Sequence, residues 1–336
     1  MSEQPSGLPG VTVVIPVYNM ERYVERSLNS VLAQTYPALA VLLVDDGSTD
    51  GSLELCRKLA ASSPAVELVT GPNRGVAAAR NCGTELARTE YVAYLDADDL
   101  WHPEKIARQV DALSCHRAAS DWAACYCLYR RIDDDDRVIR SGPLSDERGA
   151  FFAEHLKRNH VGNGSSLLVR REAALAVGGF DPSQAARGLG GCEDFDFQLK
   201  LLRRYKVELV AEYLVGYRQR DDQMSGDRKR MGDAYFAVVE AFAGDPALTP
   251  ADRRAALVAG RGCAAANYFM GGYLVRFARA AAGNMATAPL TSLNRAARFV
   301  AWQVREKARL SRARRKGAAS SPLFYDLDPR RRTPAC

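Results

Sequence analysis

The chain has 336 residues, 47% of them hydrophobic and 26% charged. That length holds about two domains, or one large α/β domain with an appendage, and the composition excludes disordered, collagen-like and disulfide-scaffold proteins. The net charge of +6 is uneven: residues 295–336 carry twelve Lys or Arg against Glu306, Asp326 and Asp328, which leaves −3 for residues 1–294. A slightly acidic body with a basic tail directs the tail toward an anionic partner, lipid headgroups before nucleic acid, and leaves the body for other chemistry.

The run 11–17 is continuously apolar and β-branched, the pattern of a strand buried on both faces of a parallel sheet. Tyr23, Val24, Leu28, Val31 and Leu32 recur at helical steps until Tyr36 and Pro37 stop them. A strand at 40–44 runs into Asp45-Asp46-Gly47-Ser48, and a helix, a strand at 66–69, a helix at 75–87 and a strand at 91–95 continue the alternation. This order predicts a parallel sheet with helices on both faces. In such sheets ligands bind at the carboxyl ends of the strands, where Asn19, Asp45, Asp46 and the run Asp96-Ala97-Asp98-Asp99 fall.

After a helix near 103–113 the alternation stops. A hairpin is expected from 122–130 and 137–140 around a solvated turn of four aspartates, 133–136. A strand at 165–169, a helix at 193–204, two short strands at 207–210 and 214–217, and helices from Ser225 to about Lys316 complete the reading.

Even the Ala-rich stretch 255–282 is broken by Arg261, Arg276 and Arg279, short of the roughly 18 apolar residues of a membrane span. Residues 1–7 show no secretory signal, so a cytoplasmic location is expected. The eight cysteines lack a repeated C-x-x-C spacing and read as reduced thiols, with Cys125 and Cys127 as buried structural residues. His155 and His160 are off the i, i+4 step of a zinc helix and read as surface or core histidines.

Two carboxylates two residues apart after a buried strand, Asp96 and Asp98, offer hard oxygen ligands to Mg²⁺ or Mn²⁺. The alternative is that Asp98 or Asp99 caps the helix entered at Pro103.

Eight segments in one order bear on the choice: VTVVIPVYN, VDDGSTDGS, NRGVAAARN, YVAYLDADD, GNGSSLLVRREA, VGGFDP, CEDFDFQLKL and LVGYR. Together they resemble the family 2 glycosyltransferases of the GT-A fold, over residues 11 to about 225. The resemblance implies a nucleoside pocket from Pro16, Tyr18, Asn19 and Asp46, with Asp46 accepting from the base, and Arg80 as a forked donor facing the nucleotide. It implies Asp96 near the ribose, Asp98 on the metal that bridges the diphosphate, and Asp194 as the base of an inverting transfer. Asp194 opens a helix, so the macrodipole is expected to hold it ionised and limit its basicity. Many relatives carry a His after the Tyr-Arg of the last segment; here Tyr217-Arg218-Gln219-Arg220 puts Arg220 in reach of the diphosphate instead. The Q-x-x-R-W motif of processive synthases is absent, so one sugar per encounter is expected.

The expected organisation is a GT-A domain over 1–225, an α/β Rossmann-like mixed sheet with helices on both faces, then a C-terminal helical extension, 226–294, packed on the body, and a basic tail, 295–336. The expected donor is a nucleoside diphosphate sugar, a UDP-sugar first, and the acceptor a glycan or a lipid-linked molecule. Asn163 and the stretch 188–193 are expected to shape the sugar pocket. A helix with Ala297, Val300, Val304 and Ala308 along one side and Trp302 at its boundary would place the tail on an anionic membrane, dispensable for donor hydrolysis. The competing readings are a sugar-phosphate nucleotidyltransferase, which would open with a Gly-rich loop that this chain lacks, and a non-catalytic nucleotide-sugar scaffold.

Overall fold

The run Val11–Val17 forms the first strand, β1, buried along its whole length. It belongs to a computed structural model that describes residues 7–116, 119, 121–220, 223–290 and 321–330. The alternation continues through α1 (Val24–Leu32), β2 (Leu39–Asp45), α2 (Ser52–Ser62), β3 (Val66–Thr70), α3 (Val76–Leu86) and β4 (Tyr91–Tyr94). Next come β5 (Leu100–Trp101), α4 (Lys105–Ser114), β6 (Trp122–Ile132), β7 (Val138–Ser141), α5 (Phe152–Lys157), β8 (Leu167–Arg170) and α6 (Arg171–Ala176). The chain proceeds through α7 (Ser183–Ala186), α8 (Glu193–Arg204), β9 (Lys206–Arg218), α9 (Arg228–Ala243), α10 (Pro250–Met270) and α11 (Leu274–Thr287).

Among the described residues the strands form one sheet in the order β3-β2-β1-β4-β8-β6-β9-β5, with β7 paired to β6. The first four are parallel. β8 runs antiparallel between β4 and β6, and β9 is parallel to β6, so the sheet is mixed. The expected pair of strands at 207–210 and 214–217 is one strand: β9 runs through Ala211 and Glu212, and shifts in register beside Cys127 and Leu128 absorb the interruption. The short helices α5, α6 and α7 escape periodicity because none completes two turns.

Strand alternation divides the core between the two faces. Val13, Ile15, Leu43 and Ala93 pack with Leu28, Val31, Ile106 and Leu113 from α1 and α4. Val14, Leu42, Val92 and Tyr94 pack with Phe195, Phe197 and Val239 from α8 and α9. Ala234 of α9 and Ala256 of α10 are buried in that same second cluster, so these helices lie on the body. Cys125, Cys127 and His155 are fully buried. Burial pushes His155 down to about 3, and its Nε2 meets the Gln198 amide oxygen at 3.1 Å, which makes it a core histidine.

The chain's far end is not a free tail. Phe324 is fully buried with Leu100, Ile132 and Val138. Val138 N–H donates to Pro322 O at 2.9 Å, Phe324 N–H to Asp136 O at 3.0 Å, and Tyr213 N–H to Pro329 O at 2.7 Å. The Arg130 guanidinium, on a residue 1% exposed, donates to the carbonyls of Leu327 and Asp328. Residues 321–330 thus form a strap across β7 and β9, and the expected amphipathic helix around Trp302 lies outside the described residues.

Helix α3 reaches β1 because Gly83 faces it: a Cβ there would stand 2.4 Å from Val14 Cγ1. Gly83→Ala gains about 1 kcal/mol of helix propensity but overpacks a core contact, which costs roughly 1–3 kcal/mol. The expected outcome is a lower urea midpoint with an unchanged m-value, measured by equilibrium denaturation.

Candidate active site

β1, β2 and β4 are parallel and end on one rim, which brings Tyr18, Asn19, Asp46 and Asp96 to the same edge of the sheet. Pro16 lies inside β1 opposite Val44, and Tyr18 just beyond it is 44% exposed. Asn19 takes the left-handed region (φ 55°), its side-chain oxygen accepts Thr49 N–H at 2.8 Å, and its own N–H donates to Ser48 Oγ at 3.1 Å. The two oxygens of Asp46 accept the N–H groups of Arg74 and Gly75, both at 2.8 Å. Asn19 and Asp46 therefore pin three loops together, and Asp46 keeps spare lone pairs for a ligand.

Arg80 projects from α3 into the site, buried, with its guanidinium against Asp96 Oδ1 and 5.1 Å from the centre of the Phe180 ring. A surface helix arginine is thereby excluded. Burial opposes its charge, and the carboxylates of Asp96, Asp194 and Glu193 together outweigh that penalty. Its Nε is buried without a partner, as is Nδ2 of Asn163.

The three aspartates after β4 have separate fates. Asp99 is fully buried: its Oδ2 accepts from Ser165 Oγ at 2.6 Å and its Oδ1 from Arg218 N–H at 2.9 Å. Asp98 Oδ2 accepts from Arg220 Nε at 2.8 Å, and Asp96 pairs with Arg80. Neither Asp98 nor Asp99 caps α4, which has Glu104 before its first turn and no side-chain cap. Burial, followed by the Asp96 charge, holds the Asp98 carboxyl above the usual range despite Arg220. Two like charges in poor solvent are what a divalent ion relieves. Among the described residues no cluster of three acids, histidines or cysteines could cage such an ion. The pair therefore fits an ion that takes its remaining ligands from a substrate diphosphate and water.

The expected solvated hairpin is corrected here. The turn at 133–136 grips the rim: Arg218, with a fully buried side chain, donates to Asp98 O at 2.7 Å, to Asp133 O and to Asp136 Oδ1. Arg26 also reaches Asp136, and Tyr23 O–H donates to Asp134 at 2.9 Å. Sequence reasoning missed Arg218, although it sits in the LVGYR segment. An open cleft of about 590 Å³, lined by Asn19, Tyr23, Asp50, Asp134 and Arg220 among others, runs along this edge.

Asp194 stands in the first turn of α8, partly exposed, and accepts Phe195 N–H at 2.7 Å. Its neighbours are engaged: Glu193 accepts Gly191 N–H at 2.8 Å and Asp196 pairs with Lys200 at 2.7 Å. Burial pushes Asp194 up to about 7, with Arg80 opposing and Glu193 adding. This direction is opposite to the one expected from the helix end, and its first cause is desolvation.

Asp194 is raised from 3.8 to about 7, so between those values the folded chain holds a proton that the unfolded chain has lost. The stability contributed by this group then falls as pH rises through that window and stays lowest above it. Asp194→Asn removes the dependence: its melting temperature relative to the parent is expected to be higher at pH 8 than at pH 4, measured by scanning calorimetry.

Comparison with known proteins bears on the family and the fold. Residues 12–175 match the model of "Glycosyl transferase family 2". An uncharacterized glycosyltransferase of Nostoc sp. is 34% identical over 188 residues, 54% of this chain and 57% of its own length. The chain thus spans little more than half of that relative. S. aureus TarS in complex with UDP-GlcNAc superposes with a TM-score of 0.62 at 16% identity, covering 84% of this chain and 82% of that one. The mannosyltransferase PcManGT from Pyrobaculum calidifontis, in complex with GDP-Man and Mn²⁺, gives 0.54 at 22% identity, covering 89% of each chain. The fold is GT-A, with the helices α9 to α11 following it.

Proposed function

Residues 12–175 belong to glycosyl transferase family 2, and from that premise we propose that the chain moves one sugar from a nucleoside diphosphate sugar to a glycan or lipid-linked hydroxyl with inversion. The feature that carries this reading is the grouping at the rim: Asp194 in the first turn of α8 beside the Arg80–Asp96 pair, partly exposed, with desolvation pushing its carboxyl up to about 7. A base with that value is ionised in half the molecules at neutral pH and strong enough to take a proton from a hydroxyl in flight. The acceptor oxygen bonds to the anomeric carbon, the bond to the diphosphate breaks, and the proton passes to Asp194.

Asp98 and Asp96 are the residues that would hold Mg²⁺ or Mn²⁺, and a bound ion would supply positive charge against the departing diphosphate. Arg80, with a buried and unpartnered Nε, and Arg220 supply further positive charge to that anion. Asp46, Asn19, Tyr18 and Pro16 frame the nucleoside. The buried amide of Asn163, with Nδ2 unpartnered, suits a sugar hydroxyl. The TarS complex with UDP-GlcNAc and the PcManGT complex with GDP-Man and Mn²⁺ support a nucleotide-sugar donor and a divalent ion, and a UDP-sugar is the first donor to try.

The absence of the Q-x-x-R-W motif supports a non-processive transfer. Among the described residues no helix is long and apolar enough to cross a membrane. Leu274 and Val275 are nonetheless 63% and 74% exposed at the start of α11, and together with the basic residues of 295–316 they support contact with an anionic membrane surface.

The test is nucleotide release from a panel of UDP-, GDP- and dTDP-sugars with and without Mn²⁺. Absence of turnover with every donor would leave a binding protein and sink the enzyme reading. With an active donor, kcat/KM is expected to rise with pH and level off above about 7, the Asp194 limb. Asp194→Asn should keep nucleotide binding by calorimetry and lose roughly 10²–10⁴ in rate. Asp98→Ala should raise the Mn²⁺ concentration for half-maximal rate and the donor KM together; an unchanged titration would remove Asp98 from the metal.

A further inference from the structure

The strap 321–330 is held by more than its own length requires. Phe324 is fully buried in one cluster with Leu100, Ile132 and Val138. Leu100 follows Asp99 directly in the chain. Across the sheet Leu100 pairs with Gly216, and Gly216 lies two residues before Arg218. The Phe324 ring fills the space at Gly216, where a Cβ would stand 3.3 Å from it. One aromatic side chain therefore packs beneath both strands that carry the bond from Arg218 N–H to Asp99 Oδ1.

The strap also reaches the 133–136 turn directly: Phe324 N–H donates to Asp136 O at 3.0 Å. Asp136 is also the acid that pairs with Arg218 and clamps the 133–136 turn onto the rim. Arg218 also holds the carbonyl of Asp98 at 2.7 Å, so any slack in Arg218 passes to Asp98 and to the backbone that aims its carboxylate.

We infer that Phe324 and the strap around it are positioning elements for the active rim: they fix Arg218, and through it Asp98 and Asp99, in the geometry that meets the diphosphate and its ion. The part of this that concerns catalysis rests on the sugar-transfer reading above; the part that concerns the Arg218–Asp99 bond does not. A basic C-terminal region that is dispensable for donor hydrolysis, as the sequence led us to expect, is incompatible with it, because truncation after Asn294 removes the strap along with the basic segment.

Phe324→Ala and a truncation after Lys316 test the inference, with Phe324→Leu as the variant that keeps apolar volume. Amide hydrogen exchange is followed at Arg218 and at residues 97–100, with β1 and β2 as internal references. The expected result is exchange at Arg218 faster by about tenfold or more in Phe324→Ala, unchanged protection in β1 and β2, and partial recovery in Phe324→Leu. In the active enzyme the same variant should raise the Mn²⁺ concentration for half-maximal rate, a change that loss of global stability alone does not produce below the melting temperature. If Phe324→Ala does not fold, the comparison is made between the parent and Phe324→Leu. Protection at Arg218 that is unchanged, or lost equally in β1 and β2, overturns the inference. If the parent turns over no donor, the transfer reading falls and the exchange measurement alone decides the role of the strap.

Discussion

The bond between Arg218 and Asp99 sets the conditions for the rest of the site. Both side chains are fully out of water, and a buried charge left without partners is costly, on the order of 3–5 kcal/mol when one member of a pair is removed. Arg218 meets this by collecting three acceptors from two parts of the chain: the carbonyl of Asp98 after β4, and the carbonyl of Asp133 and carboxylate of Asp136 in the β6–β7 turn. Asp99, whose carboxyl burial holds well above the usual range, accepts from Ser165 Oγ and the Arg218 backbone N–H. The end of β9, the β6–β7 turn, the loop before β8 and the rim after β4 therefore share a single point of attachment, and none of them can move independently.

Fixing the rim in this way leaves a dense group of acids facing a smaller group of bases. Each acid takes its character from its nearest cation. Asp96 is paired with Arg80 and Asp98 with Arg220, whereas Asp194 has the Arg80 charge at second hand and a buried setting, and it rises to about 7. Desolvation raises both Asp98 and Asp194, and under the proposed transfer this would suit the first to share a cation and the second to accept a proton. One environment thus prepares two groups for different tasks, and Arg80 links them because its charge acts on both Asp96 and Asp194.

Much of this was legible in the sequence, and the remainder was hidden for definable reasons. The parallel half of the sheet is written in runs such as Val11–Val17, where local residue type and tertiary burial agree. The positions Asn19, Asp46, Asp96 and Asp98 follow from strand ends. The basicity of Asp194 does not, because a helix N-terminus is a local fact and desolvation a tertiary one. The acids at 133–136 read as a solvated turn since their partners Arg218 and Tyr23 lie 82 and 111 residues away in sequence. The strap has only Leu323, Phe324 and Leu327 as apolar residues and no period. Its bonds to Arg130 close separations of 197 and 198 residues, which no local pattern can announce.

That separation has a consequence for how the protein is made. Arg130 lies in β6, near the middle of the chain, yet the carbonyls that receive its guanidinium belong to Leu327 and Asp328. During synthesis, which proceeds N-terminal first at about 5–20 residues per second, the sheet can assemble many seconds before those acceptors leave the ribosome. Until then Arg130 keeps its water and the hollow among Leu100, Ile132 and Val138 stays open. A nascent chain stopped short of the strap carries every acid of the site but not the brace beneath it, so the site is complete only once residues 321–330 have been added.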